Sequence, residues 1–286
     1  MFGDTLALTA RFLKKWIRNP ATVLPGLFMA VFWLALFGSS FNPVNLVPAT
    51  AGGTAFSPIL VQQIKSAIGS VFGGAANYIT FLTAGVMAFI VIINAAYGGI
   101  DIVLDRQLGY LNSLLSAPIS RGSIFFSGAM QNFVKAMFIA VLTFIVALLL
   151  PNGLRLGEGF GALDLIGVFA ALGLLTFGFC CLFTAVAYSM KNVDSLVAII
   201  NFLAFPLVFT SSAIFPLGTF PSWLKGIAEV NPITKATETA RLLIVNGNLT
   251  SGQLSTVAGN MLYLVVFATV FAVVGYLIAR QALRAE

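Results

Sequence analysis

Six stretches of this chain, near residues 21–42, 77–100, 123–150, 162–189, 195–215 and 257–279, are mainly apolar. Each reaches the roughly 20 residues that a helix needs to cross the hydrocarbon core of a bilayer. Lipid offers no hydrogen bonds to a backbone amide, so each such stretch must be a helix. The rest of the chain agrees: 59% of its 286 residues are hydrophobic and 8% charged, against about 25% charged in an ordinary soluble domain. The mean hydropathy is +1.00. These observations predict an all-α membrane protein with six transmembrane helices, the whole chain 1–286 forming one membrane domain. The first apolar run is too long for the core of a cleavable leader and is expected to stay as a span.

The net charge of +6 is too thinly spread to build a nucleic-acid face, so no nucleic-acid partner is expected. It reads instead as a topology signal. With the N-terminus inside, the inner side holds Arg11, Lys14, Lys15, Arg18, Arg106, Arg121, Lys191, Arg280 and Arg284, whereas the outer side holds Lys65, Arg155, Lys225, Lys235 and Arg241. This excess predicts that both termini are cytoplasmic, and the expected location is the cell (plasma or inner) membrane, crossed several times.

Ahead of the first span, "LALTARFLKKWIRNP" gathers Arg11, Lys14, Lys15 and Arg18 on one helical face and Leu6, Phe12, Leu13, Trp16 and Ile17 on the other. Residues 1–20 are therefore expected to lie in the headgroup layer as an amphipathic interfacial helix, with Trp16 as anchor. On the outer side, Leu60, Ile64, Ala67, Ile68 and Val71 form a stripe that predicts a short surface helix. After the fifth span, prolines at 216, 221 and 232 cut residues 216–245 into pieces too short to cross. Two re-entrant helices, about 222–230 and 233–245, are expected to dip into the outer leaflet and return.

The chain has no histidine, and its two cysteines are the neighbours Cys180 and Cys181. Histidine-based catalysis and His- or Cys-rich metal sites are thereby excluded. The pair is read as small apolar residues inside a span. No G-x-x-x-x-G-K-[ST] occurs, so the chain lacks that means of cradling nucleotide phosphates.

One polar segment stands out between the second and third spans, "GIDIVLDRQLGYLNSLLSAPISRG". Leu104, Leu108, Leu111 and Leu115 recur at helical spacing up to Pro118, and Asp105, Arg106, Gln107 and Asn112 lie opposite. The spacing predicts an amphipathic helix over 101–118. Periodicity alone fits equally a helix lying flat on lipid and one docking its polar face in the groove of a soluble protein.

The stretch "LDRQLGYLNSLLSAPISRGSIFFSGAM" resembles the cytoplasmic loop of ABC-2 type transporter permeases. Asp105, Arg106, Gly109, Leu111, Leu114, Leu115, Pro118, Ser120 and Arg121 carry the likeness, while Asn112 stands where many members have glutamate. A second stretch, "FTSSAIFPLGTFPSWLKGIAEVNPITKATETARLLI", resembles the same family ahead of its last span, through Phe215, Pro216, Pro221, Trp223, Leu224, Asn231, Pro232, Thr234, Glu238 and Arg241. Lys235 departs from the aromatic common there. The resemblance implies that 101–118 is a coupling helix touching a separate ATP-binding cassette subunit, with Asp105, Arg106, Gly109, Leu111, Asn112, Leu115 and Pro118 as contact residues. It also implies a second permease subunit, identical or related, and no cofactor in this chain, ATP and Mg²⁺ being held by the partner.

Lys135 lies inside the third apolar run, where an ionised side chain costs roughly 2.5–3.5 kcal/mol. It either snorkels to the headgroups or faces a water-filled passage. Asn201 on the fifth span serves as interhelical glue or as a pathway residue. Glu238 and Arg241, at i and i+3, either neutralise one another in the outer leaflet or form a solvated pair. The expected protein is the permease subunit of an ATP-driven exporter, not itself an enzyme, moving an amphipathic or hydrophobic cargo. The alternative is an ion-coupled secondary transporter or channel needing no ATPase, whose usual paired interrupted helices are not evident.

Overall fold

A computed structural model describes residues 2–18, 23–40, 78–150 and 153–284, together with 50–51, 54–55 and 72. The surface helix expected at residues 60–71 lies outside the described residues. Apart from a two-residue strand pair, Thr50 opposite Ala55, every regular element among the described residues is helical. In chain order these are α1 (Phe2–Ile17), α2 (Leu24–Ser40), α3 (Tyr78–Tyr97), α4 (Ile100–Gln107), α5 (Tyr110–Ser116), α6 (Arg121–Leu149), α7 (Ala162–Ser189), α8 (Val193–Phe209), a 3₁₀ turn (Leu217–Thr219), α9 (Ser222–Val230), α10 (Pro232–Val245) and α11 (Ser251–Ala282).

Side-chain caps set several of the boundaries. Ser120 accepts the Ser123 N–H at 3.1 Å and starts α6, and Asn192 accepts the Ser195 N–H at 2.9 Å and starts α8. At α11 the cap is reciprocal: Thr250 Oγ1 accepts from Gln253 N at 3.4 Å while the Thr250 N–H donates to Gln253 Oε1 at 2.9 Å. Each such oxygen satisfies a first-turn amide that has no intrahelical partner. The cap at Thr250 begins α11 well before the expected 257, and its 32 residues extend about 48 Å.

Among the described residues six helices are strongly apolar. Four regions, Tyr78–Gln107, Arg121–Leu149, Ala162–Ser189 and Ser251–Ala282, are long enough by themselves to cross a membrane, and Leu24–Gly38 and Val193–Phe209 are shorter apolar helices. The fifth predicted span, 195–215, stops as a helix at Phe209, because residues 210–214 turn back toward α10. There the Ser212 N–H donates to Thr234 Oγ1 at 3.0 Å.

The middle of the bundle is α3, buried along almost its whole length by α2, α6, α7, α8 and α10. α11 lies at the periphery against α7 and leaves Leu262, Val266, Val270, Val273 and Leu277 exposed. Apolar surface of that extent is expected where lipid is the solvent. Cys180 and Cys181 are free thiols buried in α7.

The single helix predicted over 101–118 is in fact two. Gly109 sits between α4 and α5 with φ 74°, a left-handed conformation that costs other residues steric strain. The chain bends there into an elbow, and its leucines part company. Leu111 is 3% exposed and Leu114 is buried, while Leu104 is exposed and Leu108 is 80% exposed.

Candidate functional site

The elbow is held from behind by three neighbours. Arg106, expected at a partner contact, instead reaches inward. Its guanidinium donates to the Tyr188 carbonyl at 2.7 Å and to the Met190 carbonyl, at the C-terminal end of α7. Those carbonyls have no intrahelical donor, and the helix dipole makes that end attractive to a cation. Gln107 Nε2 adds a longer bond to the Lys191 carbonyl, 3.3 Å.

On the other flank, Lys15 of α1 lies 3.5 Å from Asp105, and the Arg11 guanidinium stacks 4.0 Å from the Tyr110 ring centroid, a cation–π contact. Between α1 and α4 is a groove of about 420 Å³ lined by Arg11, Phe12, Lys14, Lys15, Arg18 and Asp105. The tip faces outward, Gln107 and Leu108 beside Gly109, where a Cβ added to the glycine would meet nothing within 4 Å. Pro118 is also exposed, and Leu111 is buried in the protein. Of Asn112 and Leu115 the main chain is described, within α5.

Lys135 has a partner. Its Nζ donates to Asp101 Oδ2 at 2.7 Å, tying α6 to the first turn of α4, with the Lys135 side chain 15% and the Asp101 side chain 41% exposed. One turn away on α6, Gln131 and Asn132 are buried, and their side-chain amides find no partner among the described residues. Asn201 accepts a hydrogen bond from the Tyr97 hydroxyl at 2.8 Å, which joins α8 to α3.

At the opposite end the Asn-Pro motif caps and fastens a helix. Asn231 Oδ1 accepts the Ile233 N–H at 2.9 Å, and Pro232 occupies the first turn of α10, where no N–H is needed. Asn231 Nδ2 donates to the Leu207 carbonyl at 2.7 Å and to Thr210 Oγ1 at 3.2 Å, which closes α10 back on the end of α8. Phe215 is exposed and Pro216 buried. Arg241 donates through Nε to the Phe81 carbonyl at 3.0 Å and through Nη2 to the Ala213 carbonyl at 2.8 Å, with its guanidinium carbon 3.6 Å from the Phe81 ring centroid. The same Ala213 carbonyl approaches Gly85 so closely that an added Cβ would lie 1.7 Å from its oxygen. On α10, outside the six strongly apolar helices, burial lowers Arg241 to about 9 against the opposing charge of Glu238. Burial likewise raises the half-buried Glu238 carboxyl, against Lys235 and Arg241.

Sequence reasoning missed Asp101, although a cation inside an apolar run needs a carboxylate within reach, and Asp101 stands at the start of the adjoining polar segment. It also missed Lys15 as a partner of Asp105. The carbonyl acceptors of Arg106 and Arg241 leave no residue-type signal at all.

Comparison with known proteins follows the same lines. The family model described as ABC-2 type transporter matches residues 4–245. The chain is similar to the ycf38 transport permease of Cyanophora paradoxa, 29% identical over 98% of this chain and 89% of that protein, and to that of Porphyra purpurea, 32% identical over 82% and 71%. It is also similar to the daunorubicin resistance ABC transporter permease protein DrrB1 of Streptomyces coeruleorubidus, 25% identical over 74% and 72%. Two sequence motifs in order, a bundle of apolar helices and a family match over most of the chain converge: this protein belongs to the ABC-2 type transporter family, as a multi-pass membrane subunit.

Proposed function

We propose that the chain is the permease subunit of an ATP-driven exporter. In this reading α2, α3, α6, α7, α8 and α11 are the six spans, α1 lies in the inner headgroup layer and both termini are cytoplasmic. The helices α9 and α10 dip into the outer leaflet and return. Two permease subunits, identical or related, enclose one pathway in the cell membrane. Two ATP-binding cassette subunits dock below and supply ATP and Mg²⁺.

The observation that carries this reading is the elbow. Leu111 and Leu114 are spent on packing inside the protein, so α4 and α5 lack a continuous apolar face for lying flat on lipid. What they present is a small tip, Leu108 at 80% exposure, on a rigid support. A braced apolar tip with polar neighbours fits a groove of a soluble partner. Closure of the ATPase subunits would push on that tip. The push has three routes into the bundle: Arg106 to the end of α7, Asp101–Lys135 to α6 and Asp105–Lys15 to α1. Asn231 and Arg241 hold α10 against α8 and α3 at the far side, where the pathway opens.

The cargo is apolar or amphipathic. Support comes from the scarcity of charge along the spans and from the relative named for daunorubicin resistance. Reconstitution tests the reading: vesicles holding this chain together with its ATPase subunit should move an amphipathic dye only with ATP, and vesicles holding the chain alone should move none. Movement by the chain alone, driven by an ion gradient, would establish the secondary-transporter alternative instead.

A further inference from the structure

The start of α6 and the end of α11 enclose a pocket of about 400 Å³ lined by Ser120, Arg121, Gly122, Tyr276, Arg280 and Arg284. Three guanidinium groups surround it, and among the described residues no carboxylate lines it. Arg121 is fixed there by its bond to the Leu283 carbonyl, 2.6 Å, whereas Arg280 and Arg284 stand one turn apart on the same face of the chain's last turns. The N-terminal end of the 29-residue α6 adds the positive end of its dipole.

A second hollow, about 460 Å³ and almost wholly apolar, lies beside the first across Tyr276. Its lining includes Phe126, Phe177, Val265, Ala268, Ala272 and Tyr276. Tyr276 belongs to both, and its ring stacks on Phe126 at 6.1 Å. Tyrosine is the residue that sits where hydrocarbon meets headgroups. From Tyr276 to Val265 along α11 is about 16 Å at 1.5 Å per residue, close to half of the roughly 30 Å hydrocarbon core. A cationic mouth thus leads into an apolar furrow one leaflet deep.

We propose that this composite site binds one anionic phospholipid, its phosphate between Arg280 and Arg284 and an acyl chain in the furrow between α6, α7 and α11. Charge complementarity selects the occupant: an apolar helix from a second copy would fill the furrow but bring no anion to the arginines. The assignment to the inner leaflet rests on the orientation proposed above, while binding itself does not depend on any ATPase subunit. The lipid would fasten the C-terminal end of α11 to the start of α6.

The test is native mass spectrometry of the full chain released from nanodiscs of equal phosphatidylglycerol and phosphatidylcholine. Two arginines near a headgroup predict at least about a tenfold excess of retained phosphatidylglycerol. Arg280→Gln with Arg284→Gln should bring the two lipids to parity. Ala272→Phe, which leaves every arginine in place, should reduce retention of both by filling the furrow. Lys14→Gln with Arg18→Gln, in the separate basic groove by α1, should leave the excess intact, and soluble glycerol phosphate should not displace the lipid. The proposal is overturned by equal retention in the wild-type chain, or by an excess that survives both the arginine and the Ala272 variants. It is overturned equally by displacement with glycerol phosphate, or by a lipid-free dimer in which a second copy occupies the furrow.

Discussion

Lys135 Nζ and Asp101 Oδ2 lie 2.7 Å apart and link α6 to the first turn of α4. The lysine is the more buried partner, so the two charges are not equivalent. Asp101→Asn strands an ammonium inside the bundle and should cost about 2–3 kcal/mol, whereas Lys135→Met leaves a carboxylate that can reach water and should cost about 1 kcal/mol. A double-mutant cycle of thermal unfolding in detergent measures this. The double variant should be less destabilised than the two single losses added together, and strict additivity would show that the ion pair contributes nothing.

Arg241 holds two main-chain carbonyls from different segments, Phe81 and Ala213, and lies over the Phe81 ring. Arg241→Met should destabilise by about 3 kcal/mol, since two buried carbonyls lose their donor. Arg241→Lys should recover less than half of that, because an ammonium lacks the planar fork that reaches both oxygens. Full rescue by lysine, read from the same unfolding midpoints, would mean that charge alone matters there.

Gly109 separates the conformational question from the steric one. An added Cβ has open space, and only the φ of 74° opposes it. Gly109→Val should therefore cost about 1–2 kcal/mol and Gly109→Asn distinctly less, since asparagine tolerates the left-handed region. Equal costs for the two would point to something other than backbone strain. If the elbow transmits force, Gly109→Val should also lower ATP hydrolysis stimulated by cargo, by straightening the tip.

Arg106 is a positioning residue in this account. Arg106→Gln removes the brace on the Tyr188 and Met190 carbonyls and should cost about 1–2 kcal/mol. The ATPase subunit should still bind, while cargo-stimulated hydrolysis falls. Simultaneous loss of binding would place Arg106 in the interface itself.

Much of this architecture can be read from the residues. α7 occupies 162–189 and α9 occupies 222–230 where apolar runs and prolines put them, because Gly161 and the Pro221–Pro232 spacing leave few alternatives. The elbow is harder to read. Four leucines at helical spacing predict one continuous helix, and a lone glycine inside such a pattern does not announce that it will turn left-handed. The sequence also places Arg106 on an outward polar face. Its partners are backbone oxygens of a helix end more than eighty residues away, and no side-chain pattern marks such acceptors. Asn231 and Pro232 are the reverse case, since a capping side chain followed by proline states its role locally.

In the proposed assembly a soluble ATPase subunit grips the elbow at Leu108. Leu108→Asp changes an exposed side chain and should alter the unfolding midpoint by no more than about 0.5 kcal/mol equivalent. Co-purification of the ATP-binding cassette subunit with that variant, compared with the wild-type chain at matched expression, is the direct measurement. Recovered ATPase subunit should drop at least about tenfold, the loss of a buried apolar anchor at an interface. Undiminished recovery, with cargo-stimulated hydrolysis also intact, would contradict it.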